Sequence, residues 1–186
     1  QNSIPLDPNI QLAVHELTHV MQMKSLNKGF TRAMSFLTGE QFNGAVSSLL
    51  PLWFLEGDAV FAESVLTTSG RGRTPSFQKQ LKALMLEKGS VYSYDKSVNG
   101  SFRDYVPDHY QYGYQMMAWS YLKYDPLIWK KAVGFAGAAP FTVNPVNLSL
   151  RRNSSMTKAR LFREAFDSLG TTWKSDDLKS ESELYG

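Results

Sequence analysis

The chain has 186 residues, 42% of them hydrophobic, and this size and composition predict a single folded domain with a substantial core. Its 20 Lys and Arg residues against 17 Asp and Glu give a net charge of +3, and the basic residues are spread along the sequence, so we expect no nucleic-acid partner. Cysteine is absent, which excludes disulfides and thiolate metal ligands. No apolar run approaches the roughly 18 residues of a membrane span, and we expect none in this sequence.

The first predicted helix carries an HExxH motif at residues 15–19. Asp7 and Pro8 are typical of a helix start, with an N-cap followed by proline at the first helical position. Residues four apart lie on one helical face, so the two imidazoles can bind one metal ion while Glu16 reaches the water on that metal. The alternative is a buried helix whose histidines are satisfied by neighbouring side chains. The predicted apolar face of this helix consists of Ile10, Ala13, Val14, Leu17, Val20 and Met21.

A second predicted helix contains three acidic residues. Residues 30–50 have a mixed composition and predict an irregular connection, after which Pro51 begins a mostly apolar helix that includes Glu56, Asp58 and Glu63. A carboxylate on an apolar helix is costly unless it is paired, hydrogen-bonded or bound to a metal. Glu56 and Glu63 are two helical turns apart and share a face, whereas we expect Asp58 to lie at the surface.

Together the two helices make the sequence resemble the gluzincin zinc peptidases, the clan of thermolysin-like and aminopeptidase-like enzymes. In this clan, HExxH on one helix is completed by a glutamate from a second helix. Many members carry the pattern W-x-x-E-G-x-A-x-x-x-E on that second helix. The matching residues here are Trp53, Glu56, Gly57, Ala59 and Glu63.

The resemblance implies a bound Zn²⁺ and a role for each polar residue of the two motifs. The implied zinc ligands are His15, His19 and Glu56. Glu16 would be the general base that accepts a proton from the attacking water. Glu63 would orient one of the ligand histidines.

Two arginines follow this helix in a predicted turn at residues 69–75, ahead of a predicted helix over 75–88. A guanidinium can hold a substrate carboxylate as a bidentate pair, but for Arg71 and Arg73 we favour a solvated loop. The apolar stripe of the helix consists of Leu81, Leu84 and Met85. Residues 90–107, rich in Ser, Tyr, Gly and Asn, predict a long loop, which is often functional.

The next predicted helix covers residues 108–124 and carries the candidates for transition-state stabilisation. Gluzincins of the aminopeptidase type have Y-x-x-G at the head of such a helix, with an aromatic residue nine positions after the tyrosine. The residues that fit this spacing are Tyr110, Gly113 and Trp119. The resemblance implies that Tyr110 donates a hydrogen bond to the oxyanion, although Tyr110 also belongs to a stripe typical of a core-facing helix. Tyr112 is a second candidate, and His109 could replace the phenol as the histidine donor of thermolysin-like enzymes.

The last third of the sequence predicts scaffold helices over 126–137 and 155–169, the latter capped by Ser155 and ended by Gly170. The Pro-, Asn- and Ser-rich segment between them is predicted without a helix, and the polar, acidic tail from Thr171 is interpreted either as a fraying end or as a linker to a further segment. We therefore predict a mainly α fold, the helical catalytic portion of a zincin-like metallopeptidase, as one domain over residues 1–186.

The predicted function is zinc-dependent hydrolysis of peptide bonds, with a peptide or protein as substrate. The alternative is a gluzincin-like module without useful turnover that mediates contacts in a larger envelope protein. HExxH peptidases usually place a β-sheet before the motif helix, and only 14 residues precede His15, so we expect a fragment of a larger chain whose other domains are partners. From the resemblance we also expect an extracytoplasmic location, in the periplasm or cell envelope of a bacterium.

Overall fold

The computed structural model describes residues 7–185, with side chains described up to residue 177. The chain is 76% helical and its described part contains no strand, which confirms the predicted mainly α fold. In chain order the helices are α1 (Pro8–Leu26), α2 (Gly29–Thr38), α3 (Gln41–Ser47), α4 (Leu52–Leu66), α5 (Pro75–Lys88), α6 (Tyr94–Asn99), α7 (His109–Lys123), α8 (Ile128–Ala138), α9 (Pro145–Ser154) and α10 (Lys158–Tyr185). Within residues 7–185 no single helix is long and apolar enough to cross a bilayer. Helices α3 and α4, which are bent by 99° at their junction, have the length and apolar composition of a membrane span only when taken together.

The two helices that carry the motifs begin where the sequence predicts. Asp7 caps α1, since its Oδ1 accepts a hydrogen bond from the backbone N–H of Asn9 at 2.9 Å, and Pro8 is the first helical residue. Pro51 precedes α4 in an extended conformation. A side-chain cap at α1 and proline geometry at both helices therefore set where they begin.

The centre of the fold is the contact between α4 and α7, which is the most extensive between any two helices described. They cross at two glycines, one from each predicted motif. A Cβ atom at Gly57 would lie 2.2 Å from the backbone carbon of Gly113, and a Cβ at Gly113 would lie 2.0 Å from the carbonyl oxygen of Trp53. The two backbones are in contact here, so only the hydrogen of a glycine fits at either position. This approach places the start of α7 beside Glu56.

An aromatic core surrounds this crossing. The indole of Trp129 on α8 stacks on Phe54 with the ring centroids 4.7 Å apart and meets Trp53 edge-on at 5.7 Å. Trp129 also donates its indole N–H to the buried hydroxyl of Ser120 at 2.8 Å. Such packing holds α4, α7 and α8 together as a rigid unit under the motif helix.

Two of the three buried residues of α1, His15 and Gln22, are polar, and the third, Leu26, lies at the end of the helix, in contrast to the amphipathic pattern of its sequence. His15 and Gln22 are 7% and 5% exposed, whereas the predicted apolar face is largely open to solvent. Its large exposed members are Ile10, Leu17, Val20 and Met21, each at 50–60% exposure. The reason is that polar partners for His15 and Gln22 lie on α4, so the described residues cover the polar face of α1.

Several segments predicted as irregular are helical. Residues 30–50 contain α2 and α3, the predicted loop at 90–107 contains α6, and the segment before residue 155 contains α9. The prediction that Gly170 ends the last helix is wrong, since α10 continues beyond it. Trp173, almost one turn further on, is only 9% exposed and belongs to the core. Its burial stabilises the extension of α10. Ser155, predicted as the N-cap of that helix, instead ends α9 with a positive φ of 55°.

Candidate metal centre

Helices α1 and α4 bring His15, His19 and Glu56 into one group. Nε2 of His15 lies 3.3 Å from Nε2 of His19, and Oε2 of Glu56 lies 3.3 Å and 3.7 Å from these two nitrogens. Donors held about 2.0–2.1 Å from a tetrahedral ion are separated by about 3.4 Å. The three atoms therefore fit three corners of a tetrahedron around one metal ion.

The state of Glu56 supports the same interpretation. Its Oε2 atom is buried and has no hydrogen-bond partner among the described residues. A buried carboxylate oxygen without a partner is costly, and a cation in this position would satisfy it. Across the described part of the chain, this is the one group of three or more His, Asp or Glu donors with metal-binding spacing.

The second nitrogen of His15 faces a buried ion pair. Oε2 of Glu63 lies 3.3 Å from His15 Nδ1, and Glu63 is 1% exposed. Oε1 of Glu63 accepts from the side-chain Nε of Arg71 at 2.8 Å and from the backbone N–H of Arg71 at 3.0 Å. It also accepts from Gln11 at 3.2 Å. Glu63 therefore lies where a residue that orients His15 must lie.

Arg71 was predicted to lie in a solvated loop, and this prediction is wrong. Its guanidinium is the counter-ion of Glu63, and its Nη2 lies 2.9 Å from His15 Nδ1. A guanidinium only donates, so Arg71 donates to His15 Nδ1, and that nitrogen is the acceptor in this contact. Arg73 is bound as well, because its Nε donates to the backbone carbonyl of Ser64 at 2.5 Å.

The second nitrogen of His19 faces a different set of residues. Nδ1 of His19 lies 3.0 Å from Oε1 of Gln22. Nε2 of Gln22 donates to the carbonyl oxygen of Leu55 and to Oδ2 of Asp58, each at 3.0 Å. The hydroxyl of Tyr121 donates to Oδ1 of Asp58 at 2.9 Å. The prediction that Asp58 lies at the surface is therefore wrong, and burial raises the pKa of its carboxyl group despite these hydrogen bonds.

Glu16 is exposed and lies between two clefts. The first has a volume of about 300 Å³, and its other lining residues are Pro8, Gln11, Leu12, His15, Glu63 and Arg71. The second has a volume of about 610 Å³, and its other lining residues are His19, Val20, Met23, Lys24, Asn27, Glu40, Asn43 and Gly44. The carboxylate of Glu16 is thus open to solvent on the same turn of α1 as the two histidines.

Tyr110 lies beside the donor group at the start of α7. Burial raises the pKa of the Tyr110 phenol, and the negative charge of Glu56 is the second cause of this rise. The guanidinium carbon of Arg71 lies 5.1 Å from the centre of the Tyr110 ring. His109 stands next to it, with the two ring centroids 4.6 Å apart. The phenol of Tyr110 therefore faces the group, with His109 as its neighbour.

Tyr112 does not join this group. It is fully buried, its ring contacts those of Phe162 and Phe166 on α10, and burial raises its pKa to about 12. Residues two positions apart in a helix are separated by about 200° around its axis, so Tyr110 and Tyr112 point to opposite sides of α7. Tyr112 is a core residue, and the structure does not support it as an oxyanion donor.

Gln22 and Tyr121 were not predicted as site residues, and Asp58 and Arg71 were predicted to be exposed to solvent. A signal existed only for Gln22, which follows His19 by three residues on α1 and so shares its face. Asp58, Tyr121 and Arg71 reach the site through the packing of separate elements.

Comparison of the chain with models of protein families, with curated proteins and with solved structures found no match. A functional proposal for this protein therefore depends on the chemistry of its side chains.

Proposed function

We propose that this protein is a zinc-dependent peptide hydrolase of the gluzincin type. The observation that carries the proposal is the spacing of the three donor atoms of His15, His19 and Glu56, close to the edge of a zinc-centred tetrahedron. Two imidazoles and one carboxylate form a donor set typical of catalytic zinc, since three protein ligands leave one position open. Zinc bound there would lower the pKa of a water ligand to about 7 and polarise a substrate carbonyl.

The residues around the donor group can perform the proton transfers of peptide hydrolysis. Glu16 would accept the proton of the attacking water and return it to the leaving amine. Because Glu16 is exposed between two clefts, both the water and the amine could reach its carboxylate. The phenol of Tyr110 would donate a hydrogen bond to the carbonyl oxygen as negative charge develops there. The two clefts would receive the substrate residues on either side of the cleaved bond.

A second candidate is a metal-binding module that mediates contacts without turnover. The exposed apolar residues of α1 favour it, because contiguous apolar surface marks contact sites. Glu16 favours the enzyme. An exposed carboxylate adds little to packing, so a purely structural metal site would not need an acid at this position.

Elemental analysis and a cleavage assay would test the proposal. We expect about one zinc per chain in the parent protein and a loss of zinc in Glu56→Ala. Mass spectrometry of a peptide mixture should show zinc-dependent cleavage that Glu16→Gln abolishes. Glu87→Gln, which makes the same change at an exposed position on α5, is the matched control and should cleave normally.

Three outcomes would count against the proposal. A zinc-supplemented parent protein that binds no zinc would contradict the metal site. Stoichiometric zinc with no cleavage of any peptide would contradict the enzyme and favour the contact module. Cleavage that survives Glu16→Gln at full rate would show that this residue is not the general base.

A further inference from the structure

We propose that Gln22 is a positioning residue that holds His19 with its proton on Nδ1, and that Asp58 and Tyr121 keep Gln22 in the orientation this requires. The inference rests on the proposed zinc site, because it concerns which nitrogen of His19 is free to bind the metal. It gives the two histidine ligands different supports. His15 faces the carboxylate of Glu63, whereas His19 faces a neutral amide.

The orientation of the Gln22 amide follows from its neighbours. Gln22 is 5% exposed, so its amide has to find protein partners. Its Nε2 lies 3.0 Å from the carbonyl oxygen of Leu55, and a carbonyl oxygen can only accept. The amide nitrogen must therefore lie on that side, and the contact of Nε2 with Asp58 Oδ2 at 3.0 Å agrees. The amide oxygen is left facing His19.

The tautomer of His19 follows in turn. An amide oxygen only accepts, so the 3.0 Å contact between Gln22 Oε1 and His19 Nδ1 requires the proton to be on Nδ1. In a neutral imidazole the lone pair is then on Nε2. This is the nitrogen that lies 3.7 Å from Glu56 Oε2. Gln22 thus selects the form of His19 that can bind a metal ion in the group.

The far end of this chain of hydrogen bonds is anchored in the core. Tyr121 donates to Oδ1 of Asp58 at 2.9 Å, and its ring stacks on Phe61 with the centroids 4.7 Å apart. The relay therefore joins α1, α4 and α7. A movement of α7 against α4 would be transmitted to His19 through Asp58 and Gln22.

The zinc affinity of Gln22→Met tests the inference. Methionine has a similar size but offers no oxygen to Nδ1. Loss of a hydrogen-bond partner of a metal ligand typically weakens metal binding by about 10–100-fold, and neutral partners bind less strongly than ionised ones, so we expect about a tenfold rise in the zinc Kd. Competition with a chromophoric chelator would measure it. Gln115→Met, which alters a half-buried glutamine that pairs with Gln78, is the matched control and should leave the Kd unchanged.

A double variant separates positioning from simple packing. Asp58→Asn places an amide nitrogen where the Gln22 amide needs an acceptor, and we expect weaker zinc binding. Adding Gln22→Glu should recover part of the lost affinity, because one carboxylate oxygen accepts from His19 Nδ1 and the other accepts from the introduced amide, while the carbonyl of Leu55 loses its donor. Thermal unfolding of the metal-free proteins would establish that every variant is folded.

Each result supports or overturns the relay. A Kd for Gln22→Met within about threefold of the parent, or a double variant as weak as the single ones, would overturn it. A lower unfolding temperature of the metal-free variant with an unchanged Kd would assign Gln22 to packing alone. A parent protein that binds no zinc would overturn the proposed metal site and the relay with it, an outcome distinct from equal binding by parent and variant.

Discussion

The crossing of α4 and α7 at Gly57 and Gly113 makes a quantitative prediction about stability. In Gly113→Ala the new Cβ would lie 2.0 Å from the carbonyl oxygen of Trp53 and 2.9 Å from Cα of Gly57. Both obstacles are backbone atoms, so no rotamer change relieves the clash, and the helices must separate by about 1 Å. Overpacking typically costs about 1–3 kcal/mol, and a rigid obstacle favours the upper end. Alanine in a helix recovers about 0.5–1 kcal/mol relative to glycine.

We therefore expect Gly113→Ala to lower the free energy of unfolding by about 2–2.5 kcal/mol. For a chain of this size that corresponds to a fall in Tm of roughly 5–10 °C. Urea titration and thermal unfolding followed by far-UV circular dichroism would measure both quantities. Separation of the helices would also move Tyr110 relative to Glu56, so the zinc affinity and activity of the surviving folded protein should fall.

Gly44→Ala is the matched control for this substitution. Gly44 lies inside α3 with an ordinary φ, and a Cβ there would have no neighbour within 4 Å. Alanine should then raise the stability by about 0.5–1 kcal/mol, in the opposite direction to Gly113→Ala. If Gly113→Ala were as stable as the parent protein, or if both substitutions stabilised it equally, the tight crossing of α4 and α7 would be refuted.

Three further predictions concern single side chains. Glu63→Gln removes the anionic partner of His15 and should weaken zinc binding by up to about 100-fold in a chelator competition; an unchanged Kd would contradict its orienting role. Tyr110→Phe should lower the kcat for peptide cleavage by about 100-fold or more without changing the zinc content, and an unaltered kcat would remove it from the mechanism. Two hydrogen bonds lower the pKa of Glu164, first the one from Tyr124 at 2.7 Å and then the one from Arg160. The stability that Glu164 contributes to the fold is therefore complete at neutral pH and is lost as the pH falls through the lowered pKa. Glu164→Gln should therefore lower Tm at pH 7 but not at acidic pH, and an equal loss at both would contradict the assignment.

The sequence alone determined where the principal helices lie and which residues could bind a metal. Asp7 with Pro8, and Pro51, mark the beginnings of α1 and α4 because capping and proline geometry depend on neighbouring residues only. The spacing within HExxH places its histidines on one face for the same local reason. Glu56 could be chosen from the sequence because an acid in an apolar helix needs a partner.

Only the tertiary structure decided which side chains meet. The apolar pattern of α1 gives no sign that its polar side is the buried one, because that depends on carboxylates of α4 some 40 residues away in the sequence. In the same way, Arg71 pairs with Glu63, and Tyr121 reaches Gln22 through Asp58, only after separate helices have packed. Trp173 extends α10 past a glycine that would stop an isolated helix, since burial in the core outweighs local propensity. Local chemistry thus sets the helices and the donor motif, while packing between distant segments sets the partners that orient the donors.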